Sequence, residues 1–228
     1  MASSVTRALV FDAYGTLFNI AAVSQACASI AADPDGFVAL WRAKQLEYAF
    51  LRALMRRYAD FWSVTRDALR YAAAATGTAL TPQQEAELLE AWYQVEPFPD
   101  VLPVLRELKA RGLTLAILSN GAPPMLERLV RETGLAGMFD RLLSVDAVQT
   151  YKPEPAVYAL IERELGAARE AALFVSSNFW DVAGARWFGL RVCWINRAGA
   201  PPDELGQQPS HVLRSLAELP ELIGKPAR

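Results

Sequence analysis

The chain has 228 residues, 53% of them apolar, and a formal net charge of −2. That is enough for a full-sized hydrophobic core, built as one domain or as a core with an insertion. The near-neutral balance gives no electrostatic case for nucleic acid or an anionic membrane, and no apolar run approaches the roughly 20 residues that a bilayer span needs.

The first residues, MASSVTRALVFDAYG, lack a signal-peptide hydrophobic region and a small-residue cleavage site, so a cytoplasmic protein is expected. They run into Ala8-Leu9-Val10-Phe11, the profile of a buried parallel strand, which Gly15 and Thr16 break. Asp12 therefore stands where a strand becomes a loop. A carboxylate there is costly to desolvate unless something uses it. From residue 19 to 95 the pattern is Ala-rich and helical, with no strand signal. One long helix is expected over 36–58 and a second over 60–75, ending near Gly77. A third opens at Thr81-Pro82-Gln83-Gln84, with Thr81 as N-cap, Pro82 in the first position and Gln84 placed to complete a capping box.

After Pro97 the chain alternates. Apolar runs at 113–118, 141–145, 173–175 and 192–195 read as strands, and helices are expected over 101–111, 124–132, 155–165 and 182–188. Such alternation predicts an α/β fold, a doubly wound, Rossmann-like parallel sheet. The expected organisation is a core of residues 1–18 and 96–228, with 19–95 inserted as a helical cap subdomain. Cys27 and Cys193 are too few for a disulfide framework and fit no metal spacing. Cys193, inside the apolar run 192–195, reads as a buried thiol. The single histidine, His211, reads as a surface residue in a loop entering a late strand. Catalysis must then run on carboxylates, lysine, arginine and hydroxyls.

Four strand ends carry polar groups: Asp12 and Thr16; Ser119-Asn120-Gly121; Tyr151-Lys152-Pro153; and Ser176-Ser177-Asn178 with Asp181. Each alone reads as a turn or a helix cap. In a doubly wound sheet they converge on one crevice.

With these segments the chain resembles the haloacid dehalogenase superfamily, and more narrowly its L-2-haloacid dehalogenases. The likeness is carried by FDAYGTLF, WRAKQLEY, LSNG, YKPEPAVY and FVSSNFWD, spread over nearly the whole chain. Phosphatases of that superfamily carry a second Asp two residues after the nucleophile, and acidic residues in the last motif that hold magnesium. Here Tyr14 stands at the first place, and Ser176-Ser177-Asn178 at the second leaves Asp181 alone. The resemblance therefore implies neither metal nor cofactor. A halide leaves without a proton, and there is no phosphate charge to spread.

The activity implied is hydrolysis of a short L-2-haloalkanoic acid to the (R)-2-hydroxy acid and halide, through an aspartyl ester and with inversion. Asp12 is the nucleophile, Lys152 its counter-charge, and Thr16 and Asn178 orient its oxygens. Ser119, with loop backbone N–H groups, takes the substrate carboxylate. Arg42, Asn120 and Trp180 receive the halide, and Tyr14 lines the cavity and offers its backbone N–H. Asp181 activates the water that hydrolyses the ester, with Ser176 and Asn178 positioning it.

Some of these residues have ordinary readings as well. Arg42 by position alone is a solvated helix residue, but Leu46 one turn on and Phe61 at the next helix start give it apolar company. Asp181 also reads as a helix N-cap. Tyr158, placed with the substrate-binding residues, either supports Lys152 or Asp181 or packs as a core tyrosine. The resemblance further implies a homodimer; Cys27, Met55 and the tryptophans of the insertion are candidates for its interface, though core packing accounts for them equally. Three rivals stay open: the same chemistry on another electrophile such as fluoroacetate or a strained ring, a phosphatase, and a non-catalytic binding module.

Overall fold

A computed structural model describes residues 6–223. The first five residues, on which part of the targeting expectation rests, and the last five lie outside the described residues. In chain order the elements are β1 (Ala8–Phe11), β2 (Phe18–Asn19), α1 (Ala21–Cys27), α2 (Pro34–Leu54), α3 (Phe61–Thr76), α4 (Pro82–Glu90), β3 (Glu96–Pro97), α5 (Val101–Ala110), β4 (Thr114–Ser119), α6 (Pro123–Glu132), β5 (Arg141–Ser144), α7 (Pro155–Leu165), β6 (Ala172–Ser176), α8 (Phe179–Phe188), β7 (Arg191–Ile195), β8 (His211–Leu213) and α9 (Leu219–Ile223).

Six strands form one parallel sheet in the order β5-β4-β1-β6-β7-β8. β1 is central in the sheet and buried along its whole length, with Phe11 opposite Ile117 in β4 and Val175 in β6. The chain builds β4 and β5 on one side of β1 and then β6, β7 and β8 on the other. That reversal makes the C-terminal end of β1 a topological switch point, where a crevice opens. Asp12 is the first residue beyond β1, and its amide still donates to the Val175 carbonyl at 2.9 Å. The loop then turns at Gly15, whose φ of +86° a side chain would strain.

The helical segment is framed by a small antiparallel ribbon. Phe18 pairs with Pro97 and Asn19 with Glu96, so the two ends of the segment lie side by side. Two-residue strands carry no alternation, and the sequence showed none. The segment also holds α1, which was not separately expected; its N-cap Ile20 makes no side-chain cap bond, and Asn19 Oδ1 accepts the Ala21 amide at 3.0 Å instead. The other three helices are present. α4 begins as read, with the Thr81–Gln84 capping box complete. α3 ends at Gly77 in the left-handed conformation.

The long helix is shorter than expected at one end and longer at the other. It starts at Pro34, capped by Asp33, whose carboxylate accepts the Gly36 amide. It stops at Leu54 rather than running to residue 58, because Arg56 turns left-handed and Tyr58 leaves to donate to Asp146 in the loop after β5. α2 packs lengthwise on α3. Cys27, Trp41 and Trp92 are buried within this chain, so core packing accounts for them, whereas Met55 is 59% exposed. Among the described residues no helix is long and apolar enough to cross a membrane.

Candidate active site

Asp12 emerges from β1 into a set of donors. Thr16 Oγ1 at 2.9 Å and Asn178 Nδ2 at 2.8 Å both donate to its Oδ2, and Lys152 Nζ donates to Oδ1 at 3.0 Å. Oδ2 thus has both lone pairs engaged, and Oδ1 keeps one free. The Thr16 hydroxyl is itself fixed, because it accepts the Ser177 amide at 2.8 Å and must turn its proton toward Asp12.

Lys152 is fully buried. Its backbone amide is pinned by Asn120 Oδ1 at 3.0 Å, and its ammonium reaches both Asp12 and, at 2.9 Å, Asp181 Oδ2. Burial opposes the charge, but the two carboxylates outweigh it and raise Lys152 above the ordinary lysine range. Asp181 accepts from Ser176 Oγ at 3.1 Å and from Tyr158 Oη at 2.7 Å. Burial is the main reason that its carboxyl is pushed up, to about 6; Lys152 pulls it down and the nearby Asp12 raises it again. Burial, with Asp181 beside it, keeps the Tyr158 hydroxyl protonated and so a donor.

Local structure explains how these groups meet. α8 begins directly after β6, and its N-cap is Asn178, which makes no side-chain cap bond and directs its amide at Asp12 instead. Asp181 lies in the first turn of α8, so the N-cap reading of Asp181 is corrected: its side chain belongs to Lys152, Ser176 and Tyr158. One turn later Gly184 lets α8 lie against the Lys152 loop. A Cβ there would fall 2.4 Å from Pro153 Cβ and 2.7 Å from Tyr158 Oη.

A narrow cavity opens on Asp12, lined by Asp12, Tyr14, Arg42, Leu46, Phe61, Ser119, Asn120, Asn178 and Trp180. Its volume, about 10 Å³, is roughly the room of one water. All nine were singled out in the sequence. Thr16, Lys152, Ser176 and Asp181 stand behind Asp12 rather than in the wall. Tyr158 stands behind them too, so its placement among substrate-binding residues is corrected; it supports Asp181. The Tyr14–Phe18 bridge uses the Gly15 amide and the Ala13 carbonyl, which leaves the Tyr14 amide outside it. Ser119 Oγ accepts the Gly121 amide at 3.0 Å, so its own proton is available to the cavity.

Arg42 reaches the cavity from α2. Its guanidinium donates to Gln45 and lies 5.7 Å over the Trp92 ring. Gln45 is fully buried and bonds Thr65 in α3 at 2.6 Å. Sequence reasoning missed this pair. The available signal was a glutamine on the face of α2 that otherwise buries Trp41 and Ala49.

The remaining polar candidates do not take part. Burial pushes the Cys27 thiol up to about 11 and Cys193 to about 12, which removes both as nucleophiles. His211 opens β8, three strands from β1, and burial lowers it. Among the described residues no three His, Cys, Asp or Glu side chains gather as a metal-binding group.

The site can be compared with known proteins. Residues 6–189 match a family model described as haloacid dehalogenase-like hydrolase. The chain is 48% identical over 218 residues to an (S)-2-haloacid dehalogenase of Pseudomonas sp. strain YL, covering 95% of this chain and 94% of that one. Among solved structures, an L-2-haloacid dehalogenase superposes with a TM-score of 0.94 at 43% identity, over 96% of this chain and 99% of the other. The L-2-haloacid dehalogenase from Xanthobacter autotrophicus with chloropropionic acid covalently bound superposes with a TM-score of 0.90 at 40% identity, over 97% and 100%.

Proposed function

The chain belongs to the haloacid dehalogenase-like hydrolases, and from that membership we propose that it is an (S)-2-haloacid dehalogenase, converting short L-2-haloalkanoic acids to (R)-2-hydroxy acids and halide. The observation that carries this reading is the Lys152 ammonium between Asp12 and Asp181, beside a cavity walled by Arg42, Asn120 and Trp180.

In the first step the free lone pair of Asp12 Oδ1 attacks carbon 2. The new C–O bond forms as the carbon–halogen bond breaks on the opposite side, and the halide leaves with the bonding pair. Thr16, Asn178 and Lys152 hold the carboxylate in the direction of attack, and substrate filling the small cavity keeps water off it. Ser119 Oγ and the Tyr14 amide meet the substrate carboxylate. Arg42, Asn120 and the edge of Trp180 meet the departing halide.

Ester formation removes the charge of Asp12 and leaves Lys152 paired with Asp181 alone. Asp181, sealed in the free enzyme, then becomes the base for a water that attacks Asp12 Cγ. The water gives its proton to Asp181, the acyl–oxygen bond breaks, and the product oxygen leaves and takes up a proton. Asp12 is regenerated with one oxygen from water.

Neither a metal nor an organic cofactor is required in this scheme, since the Lys152 ammonium and the Arg42 guanidinium supply the positive charge at the site. Residues 19–95 act as a cap that carries Arg42, Leu46 and Phe61 over the core, residues 1–18 and 96–228. The enzyme works in the cytoplasm, a compartment that suits two free buried cysteines. It pairs as a homodimer through the exposed Leu51, Leu54 and Met55 at the end of α2. Isotope transfer tests the reaction. A single turnover of L-2-chloropropionate in heavy-oxygen water should label Asp12 and leave the product's new oxygen light, and Asp12→Asn should abolish halide release. Heavy oxygen going straight into the product would make water the attacking species.

A further inference from the structure

We propose that Gln45 and Thr65 are positioning residues for the reaction, forming a one-way hydrogen-bond relay that fixes the guanidinium of Arg42 at the cavity. This rests on the reading of Arg42 as the halide partner.

The direction of the relay follows from its two ends. Arg42 is a donor only, so the Gln45 atom it contacts must be the amide oxygen. The Phe61 carbonyl is an acceptor only, so Thr65 Oγ1 gives it its single proton, at 2.7 Å. Thr65 Oγ1 therefore accepts from Gln45, and Gln45 Nε2 supplies that bond at 2.6 Å. Neither the amide nor the hydroxyl can reverse without losing a buried bond. Gln45 and Thr65 are both fully buried, so water does not compete. The relay starts on the backbone of Phe61, itself a cavity residue, and ends on Arg42. It ties the first turn of α3 to the guanidinium on α2, and the Trp92 ring 5.7 Å below supports that cation from beneath.

Thr65→Val keeps the volume but removes the hydroxyl, and Gln45 loses what orients it. Thr65→Ser keeps the hydroxyl and should rescue. Gln45→Met removes the acceptor for Arg42. Single-turnover halide release should fall about 10- to 100-fold for Thr65→Val and Gln45→Met, the range expected when a bond to a charged group is lost. The loss should be larger with 2-chloropropionate than with 2-bromopropionate, and Thr65→Ser should stay near wild type. A packing defect alone would lower both substrates in proportion and would not be rescued by serine. Crystal structures of wild type and Thr65→Val give a second readout, with the Arg42 guanidinium displaced in the variant. An unmoved guanidinium, or an unchanged chloride-to-bromide ratio in folded Thr65→Val and Gln45→Met, overturns the relay. Inactivity of the wild type on both haloacids would instead refute the dehalogenase reading, and the guanidinium position would still decide the relay.

Discussion

Replacing Lys152 by methionine removes the ammonium between two buried carboxylates while keeping most of the side-chain volume. The two contacts, 3.0 Å to Asp12 and 2.9 Å to Asp181, place the carboxylate oxygens no more than about 6 Å apart. At an effective dielectric of about 20, two like charges at about 6 Å repel by about 3 kcal/mol. That agrees with the roughly 3–5 kcal/mol lost when one member of a buried ion pair is removed. For a chain of this length about 3 kcal/mol corresponds to a drop in Tm of roughly 6–12 °C. The pH dependence is the sharper signature. Without the ammonium the pair holds a proton more tightly than the unfolded carboxylates do. Between about pH 4 and the raised value of the pair, the folded variant binds more protons than the unfolded chain, so its stability falls as pH rises through that window. The deficit against wild type should be largest near about pH 7 and narrow toward about pH 5. Thermal unfolding of Lys152→Met and wild type across that range measures it. A variant within about 2 °C of wild type at neutral pH, or a deficit that does not change with pH, would refute the electrostatic account of Lys152.

Arg42→Ala and Arg42→Lys should both lose single-turnover activity with the fold retained, more for chloride than for bromide substrates, since the compact lysine ammonium does not replace the planar guanidinium; near wild-type rates would reassign the halide site. Asp181→Asn should release about one equivalent of halide and then stall as the ester, visible as a mass increase on the intact chain, whereas unhindered turnover would exclude Asp181 as the base. In the wild type the hydrolysis step needs Asp181 deprotonated, so its rate should fall as pH drops through about 6 or lower, because ester formation removes the Asp12 charge that helps raise this group; a limb rising toward acid would contradict the assignment. Exhaustive chelation should leave halide release unchanged, since the Lys152 ammonium already stands between Asp12 and Asp181, the two carboxylates that a magnesium ion would need. Loss to chelator, restored specifically by magnesium, would return the phosphatase reading.

Features that depend on near neighbours along the chain could be read directly. Apolar runs mark β1, β4, β6 and β7 because a parallel strand whose two faces are both covered must be apolar on both. The Thr81–Gln84 box and the Gly77 stop are local bonding patterns, visible in four or five residues. Asp12 could be placed because the change from apolar run to glycine turn marks a strand end.

Features that depend on how distant segments seat against one another could be read only as convergence of strand ends on one crevice, or as what the family resemblance implies. Lys152 and Asp12 are 140 residues apart, and it takes the order of β1 beside β6, with α8 drawn against Pro153 at Gly184, to put one ammonium between two carboxylates. The sequence left Tyr158 open between supporting Lys152 or Asp181 and packing in the core, and nothing local told that Asn178 rather than Asp181 occupies the cap position of α8. The end of α2 at Leu54 is set by Tyr58 binding Asp146 in the segment after β5, a contact that overrides the helical pattern continuing to residue 58. Gln45 and Thr65 each look unremarkable in the chain. They acquire a direction only when α2 packs on α3, because a hydrogen bond between side chains has a donor and an acceptor only after the fold has put both in reach.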